Sequence, residues 1–277
     1  MELNRQYLAS LILKRLEEEA STIRSNYLKS KDTIGHFYID DLLPESIAHT
    51  IFESFPDLDK TVLKKSLREY KHIAVQMDQY HPIIEEITYA FQDDAIVKFF
   101  EDLCDIPNLN PDEHLYAGGL SMMRYHNFLN PHLDNSHDKD RDRWRVMNLL
   151  YYVTPEWKLE NGGNLEVWPE GLDNPQVTIV SKFNRLAIMM THNKSWHSVS
   201  RVEVDRTRCC VSNYYFSPEP LREDDTFHVT SFRGFPKQKV RDLVLKVDNT
   251  LRMGLRKLFS KGIRENPHVY KKDDSKE

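Results

Sequence analysis

His132-Leu133-Asp134 is followed, 65 positions after His132, by Trp196-His197-Ser198-Val199. Two imidazoles and a carboxylate form a three-donor set for a divalent metal. On one face of an octahedral Fe(II), such a set leaves three positions open for a cosubstrate and O2. Zinc hydrolases use the same donors, so the set alone does not choose the metal. His132 and Asp134 are two apart, and in an extended segment both side chains point to the same side. A lone His-x-Asp is weak, because 12 histidines should give about one such pair by chance. The setting adds weight. His132 follows a strand-like run at 120–125 and a short polar turn, and His197 follows another such run at 186–190.

A second group of residues suits an anion. Arg206-Thr207-Arg208 leads into Cys209-Cys210-Val211-Ser212-Asn213-Tyr214-Tyr215-Phe216, which reads as a strand. A guanidinium aimed into a barrel binds a carboxylate as a fork, and strand parity does not separate Arg206 from Arg208. In the run 145–153, alternation puts Asn148 and Tyr152 on one face and Arg145 and Tyr151 on the other. An amide and a hydroxyl on one face fit a ligand-lined interior.

These residues need a frame. From 115 to 217, short runs rich in Tyr, Val, Ile and Met alternate with turn clusters such as Asn161-Gly162-Gly163 and Asp173-Asn174-Pro175. Strands at this spacing predict a sandwich or closed barrel. Upstream, Leu8, Leu11, Ile12, Leu16, Ala20, Ile23 and Tyr27 recur at helical spacing. A strand is expected at 34–39, a helix opening at Pro44, and more helix around 82–104. Arg68, Tyr70, His72, Gln76 and Tyr80 fall at even positions and could line an entrance. The expected organisation is a mixed, helical region at 1–114 packing on the core, a β-core at 115–217 and an extension at 218–277. In that extension Val240, Leu243, Val244, Val247, Leu251, Leu255 and Leu258 form one helical stripe. From Arg233 onward there are 13 Lys/Arg against 6 Asp/Glu. The favoured reading docks this helix on the domain with its basic face solvated; contact with a membrane surface is the minor reading.

Composition bounds the rest. A chain of 277 residues with net charge −5 can bury one sizeable core and carries no general basic signal for nucleic acid. No secretion signal or membrane-spanning run is expected. Three cysteines, two of them adjacent, give no disulfide framework and suggest core packing in a reducing, cytoplasmic setting.

Taken in order, the motifs resemble the prolyl-4-hydroxylase-like branch of the Fe(II)/2-oxoglutarate-dependent dioxygenases, notably bacterial members with a helical N-terminal region. The likeness runs from Ser121 to Ser217. It takes in Met123-Arg124-Tyr125, His132-x-Asp134-Asn135, Leu150-Tyr151-Tyr152-Val153-x-x-x-Trp157 and Asn161-Gly162-Gly163-x-Leu165-x-Val167-Trp168. It continues through Lys182-Phe183-Asn184-Arg185, His197-x-Val199, Arg208 and Tyr214-Tyr215-Phe216. The resemblance implies an α+β protein with a mainly β core, a double-stranded β-helix (jelly roll), flanked by the N-terminal helices and the C-terminal amphipathic helix. It implies Fe(II) on His132, Asp134 and His197. It selects Arg208 for the far carboxylate of 2-oxoglutarate, aided by Tyr152, with Tyr125 and Asn148 near the cosubstrate. The expected reaction is a hydroxylation that turns 2-oxoglutarate and O2 into succinate and CO2, with ascorbate as an auxiliary reductant. Asp134 disfavours a halogenase, which lacks that carboxylate. The substrate is left open among a small molecule, a glycan or lipid-linked precursor and a prolyl peptide. The alternatives are a cupin-like metal-binding module without turnover, and a zinc hydrolase, which has no use for Arg208.

Overall fold

A computed structural model describes residues 3–258 and 269–272. The N-terminal stripe folds as two helices, α1 (Arg5–Glu18) and α2 (Ala20–Ser30), with a break at Glu19. Asn4 caps α1 by accepting from the Tyr7 amide at 3.0 Å. The stripe residues Leu8, Ile12, Leu16 and Ile23 are buried. β1 (His36–Ile39) and α3 (Glu45–Glu53) follow, then a hairpin of β2 (Val62–Lys65) and β3 (Glu69–Ala74). The helical pattern at 82–104 is also two pieces, α4 (Pro82–Ala90) and α5 (Asp94–Cys104). Asp93 divides them, because its carboxylate accepts from the Ala95 amide and starts a new helix.

The remaining strands are β4 (Asn110–Pro111), β5 (Gly119–Met123), β6 (Phe128–Leu133) and β7 (Trp144–Tyr152). Then come β8 (Leu165–Val167), β9 (Val177–Ile179), β10 (Arg185–Met190), β11 (His197–Val199), β12 (Arg208–Ser217) and β13 (Ser231–Phe232). All pair antiparallel, in the order β1-β10-β7-β12-β5-β3-β6-β11-β8-β9, with β2, β4 and β13 on the side. The sheet curls into a nearly closed barrel, the jelly-roll double-stranded β-helix.

Alternation along β7 separates two interiors. Tyr151 points outward to the helices, 5.8 Å from Phe91 by ring centroid, and bonds the Asn184 side chain. Its neighbour Tyr152 points into the barrel among Leu165, Val167, Met189 and Cys210. Cys209 and Cys210 divide the same way and are both buried. The N-terminal region does more than pack on this core: β1 pairs with β10, and β3 lies between β5 and β6.

The C-terminal helix, α6 (Lys239–Leu258), is oriented against expectation. Its polar side faces the domain. Asp242 pairs with Arg233, Asp248 with Arg68 and Arg252, and Asn249 brackets the Phe232 backbone, while Leu245 is buried. The stripe from Val240 to Leu255 is exposed instead; the Leu258 side chain lies outside the described residues. Ion pairs and an amide clamp set the rotation of this helix. Among the described residues, no helix is long and apolar enough to cross a membrane.

Candidate active site

His132 on β6 and His197 on β11 are directly opposite each other across the antiparallel ladder. Their ring centroids are 4.0 Å apart. Asp134, just past the end of β6, turns its carboxylate between them: Oδ1 lies 3.6 Å from His132 Nε2 and Oδ2 lies 3.6 Å from His197 Nε2. Donor atoms of all three lie within 4.8 Å of one another, close enough for one cation to gather.

The tautomers follow from the backbone. His132 Nδ1 is 2.9 Å from the Asn130 carbonyl, and His197 Nδ1 is 3.0 Å from the Ser195 carbonyl. A carbonyl only accepts, so both Nδ1 atoms carry the proton and both Nε2 lone pairs face the carboxylate. Burial, then the neighbouring His197, lowers His132 to about 3, which keeps its ring neutral and able to bind a metal. Burial alone would raise the Asp134 carboxyl. Arg145, the two histidines and an Asn148 hydrogen bond outweigh it and hold the group well below the usual carboxylate range.

Two side chains of β7 secure that carboxylate. Asn148 Nδ2 donates to Asp134 Oδ2 at 2.8 Å, and Arg145 Nη1 lies 3.3 Å from the same oxygen. Arg145 was expected on the opposite face. The pairing of β7 with β12 skips Val146, since Tyr215 faces Met147 and Phe216 faces Arg145. The extra residue is a bulge, and a bulge reverses parity beyond it. Asn148 therefore positions Asp134 with its amide nitrogen, while its Oδ1 is buried without a partner.

Deeper in the barrel, Arg208 and Arg206 separate. Arg206 precedes β12 in a loop and donates to the Pro155 carbonyl at the surface. Arg208 opens β12, is buried, and has its guanidinium 5.3 Å from the centre of the Tyr152 ring. One nitrogen donates to Ser121 Oγ at 3.2 Å, while Nε has no partner. The Tyr152 hydroxyl is likewise buried without a hydrogen-bond partner. Burial keeps Tyr152 protonated, raised above the usual phenol range. A buried guanidinium and a buried hydroxyl with donors to spare are costly unless an acceptor arrives. A carboxylate of an incoming ligand meets that need, so the residues present fit 2-oxoglutarate as well as a divalent metal. Gly163 leaves the room: a Cβ there would stand 3.1 Å from Arg208 Cδ.

Tyr125 is not part of this cluster. It lies beyond β5, is 43% exposed, and stacks on His126. Ser121, which reaches Arg208, was not singled out from the sequence; a serine in a strand carries no signal of its own. Over the three-donor cluster opens a cavity of about 450 Å³. Its wall includes Arg68, Lys71, His137, Arg141, His228 and Arg252. On β3 the odd positions Glu69 and Lys71 line it, whereas His72 is buried beside Thr61 and Tyr80 reaches the Lys60 carbonyl. The expected even-numbered row is thus turned away, apart from Arg68.

Residues 120–216 match the model of the family described as the 2OG-Fe(II) oxygenase superfamily. The fold is similar to that of a prolyl-4-hydroxylase from Pseudomonas putida, with TM-score 0.54 at 13% identity over 70% of this chain and 98% of that one. It is also similar to a prolyl 4-hydroxylase from Phytophthora capsici, with TM-score 0.53 at 14% identity over 90% and 80% of the two chains. A prolyl hydroxylase from Trichoplax adhaerens, solved with a hypoxia inducible factor peptide, gives TM-score 0.51 at 16% identity over 72% and 91%.

Proposed function

We propose, from the premise that residues 120–216 are a 2OG-Fe(II) oxygenase core in a prolyl-hydroxylase-like fold, that this 2-oxoglutarate-dependent dioxygenase hydroxylates a polar substrate. In this reading His132, Asp134 and His197 hold Fe(II), and Arg208 with Tyr152 and Ser121 binds the far carboxylate of 2-oxoglutarate. The observation that carries it is the pair of buried, unpaired donors on Arg208 and Tyr152 inside the barrel that also brings together three side chains able to hold a metal. A zinc hydrolase or a passive metal-binding module has no need of that pair.

Bound Fe(II) supplies the oxidative chemistry that turns 2-oxoglutarate and O2 into succinate and CO2 while the substrate is oxidised. The protein supplies position and charge. The Asn130 and Ser195 carbonyls fix both imidazoles. Arg145 and Asn148 keep the Asp134 carboxylate ionised and aimed. Leu165, Val167 and Met189 line a dry interior around Tyr152, where the Arg208 fork is worth more than in water. The substrate enters by the charged cavity over the metal site. Its wall of arginine, lysine and histidine favours a hydrophilic molecule; a prolyl peptide, a small molecule and a glycan or lipid-linked precursor all fit that description.

The test is succinate formation by protein loaded anaerobically with Fe(II) and then exposed to air, with wild type beside Arg208→Ala and His132→Ala. Succinate from wild type, lost in both variants, supports the reading. Wild-type protein that binds no 2-oxoglutarate in calorimetry overturns it.

A further inference from the structure

The exposed face of α6 is the largest feature the oxygenase reading leaves unused. Val240 is 80% exposed, Leu243 65% and Leu251 64%, and Val244, Val247 and Leu255 lie on the same side. These six residues recur at helical spacing and form one continuous stripe. The helix does not hide them because its opposite side is already engaged. Asp242, Asp248 and Asn249 point inward onto Arg233, Arg68 and the Phe232 backbone. Contiguous apolar surface of this kind marks an interaction site.

The charges beside the stripe identify the partner. From 236 to 255, the exposed residues are apolar ones, Lys237, Lys239, Lys246, Pro, Gly and Thr; among the described residues of this stretch none that is exposed is acidic. On a helix Lys239 and Lys246 fall together, along one border of the stripe; Lys246 also pairs with Asp242 at 3.0 Å, and Lys237 and Lys239 are exposed at the start of the helix. A neighbouring element repeats the pattern. The tip of the β2–β3 hairpin exposes Leu67 near Lys65, and the residue after Leu67, Arg68, is the one that pairs with Asp248 of α6. Apolar side chains bordered by lysines, with the acidic groups turned inward, match a surface that is apolar below and anionic above.

We propose that the α6 stripe, with the tip of the β2–β3 hairpin, rests on a lipid bilayer containing anionic headgroups. The apolar residues enter the acyl boundary, and the lysines reach back to the headgroups. The position has a chemical consequence. Arg68 and Arg252, which tie hairpin and helix together, also line the cavity over the metal site. The Phe232 ring, whose backbone is bracketed by Asn249, stacks on His132 with centroids 5.2 Å apart. Docking by this face sets the cavity beside the membrane surface, within reach of a substrate carried on a lipid.

The test is flotation of the full-length protein with vesicles of phosphatidylcholine plus phosphatidylglycerol, and of phosphatidylcholine alone. Wild type should float with the anionic vesicles and much less with the neutral ones. Leu243→Gln with Val247→Gln and Leu251→Gln should abolish flotation without lowering the melting temperature, since the docked side of α6 is unchanged. Lys237→Gln with Lys239→Gln should weaken partitioning roughly thirtyfold, at about fivefold per charge. No flotation of wild type, or flotation that survives the triple substitution, overturns the proposal. Equal binding to both vesicles overturns the headgroup assignment. A concentration-dependent dimer in sedimentation that the triple variant loses, without flotation, gives the face to a second copy of the chain. None of these readouts involves turnover, so failure here leaves the oxygenase reading standing.

Discussion

Arg145 Nη1 stands 3.3 Å from Asp134 Oδ2, the oxygen that also accepts from Asn148. A permanent cation beside a buried carboxylate keeps it ionised and fixes its direction. Replacing Arg145 by Met frees the carboxylate to rotate and to take up a proton. The Fe(II) concentration needed for half-maximal succinate formation should rise about 10–100-fold, measured by metal titration at neutral pH. An unchanged requirement would make Arg145 a packing residue only.

Tyr152→Phe separates stability from function. The hydroxyl is buried without a protein hydrogen-bond partner, so removing it should leave the melting temperature unchanged or slightly higher. The Kd for 2-oxoglutarate should rise roughly tenfold, in line with about 1–2 kcal/mol for a hydrogen bond to a carboxylate. Calorimetry on the metal-loaded protein reads both arms.

The adjacent glycines should fail differently. A Cβ on Gly162 (φ +69°) would stand 1.8 Å from the Arg201 carbonyl oxygen, which is backbone and cannot move aside. Gly162→Ala should cost about 3 kcal/mol or more and yield little folded protein. A Cβ on Gly163 would meet the Arg208 and Val202 side chains at 3.1 Å. Gly163→Ala should fold, with a lower melting temperature, and should lose 2-oxoglutarate affinity because Arg208 is displaced.

A pH-dependent contribution comes from Asp40. Burial would raise its carboxyl, but the Arg185 and Lys182 hydrogen bonds hold it below the ordinary carboxylate value. A depressed carboxylate stabilises the fold above its unfolded pKa of about 3.9 and loses that contribution as pH falls through the folded value. Asp40→Asn should therefore cost roughly 1–2 kcal/mol at neutral pH. The gap to wild type should close below about pH 4 in denaturant titrations.

The clustering of His132, Asp134 and His197 and the buried position of Arg208 were legible because such side chains are unusual for a β-core and their order is tied to flanking motifs. What alternation alone could not supply was the face of a side chain after an irregularity. Simple alternation puts Arg145 on the face opposite Asn148, but one unpaired residue, Val146, shifts the pattern. The β3 row failed for the same kind of reason: which parity faces the cavity depends on where the hairpin enters the sheet, and that is a long-range fact. Tyr125 sits past the end of β5, where strand parity no longer holds. The rotation of α6 is not legible in its pattern, because an apolar stripe normally marks the docked side and here three inward polar residues, Asp242, Asp248 and Asn249, decide the matter.

The pairing of β1 with β10 ties Phe37 to Ile188, about 150 residues later in the chain. At about 5–20 residues per second, a ribosome takes roughly 10–30 s to cover that distance. For that interval β1 has no neighbour on which to complete its ladder, although β5 and β6, between which β3 lies, are made before it ends. Closure of the barrel is therefore an event late in synthesis, whereas α1 and α2 pack on α4, α5 and β1, which are all made well before it.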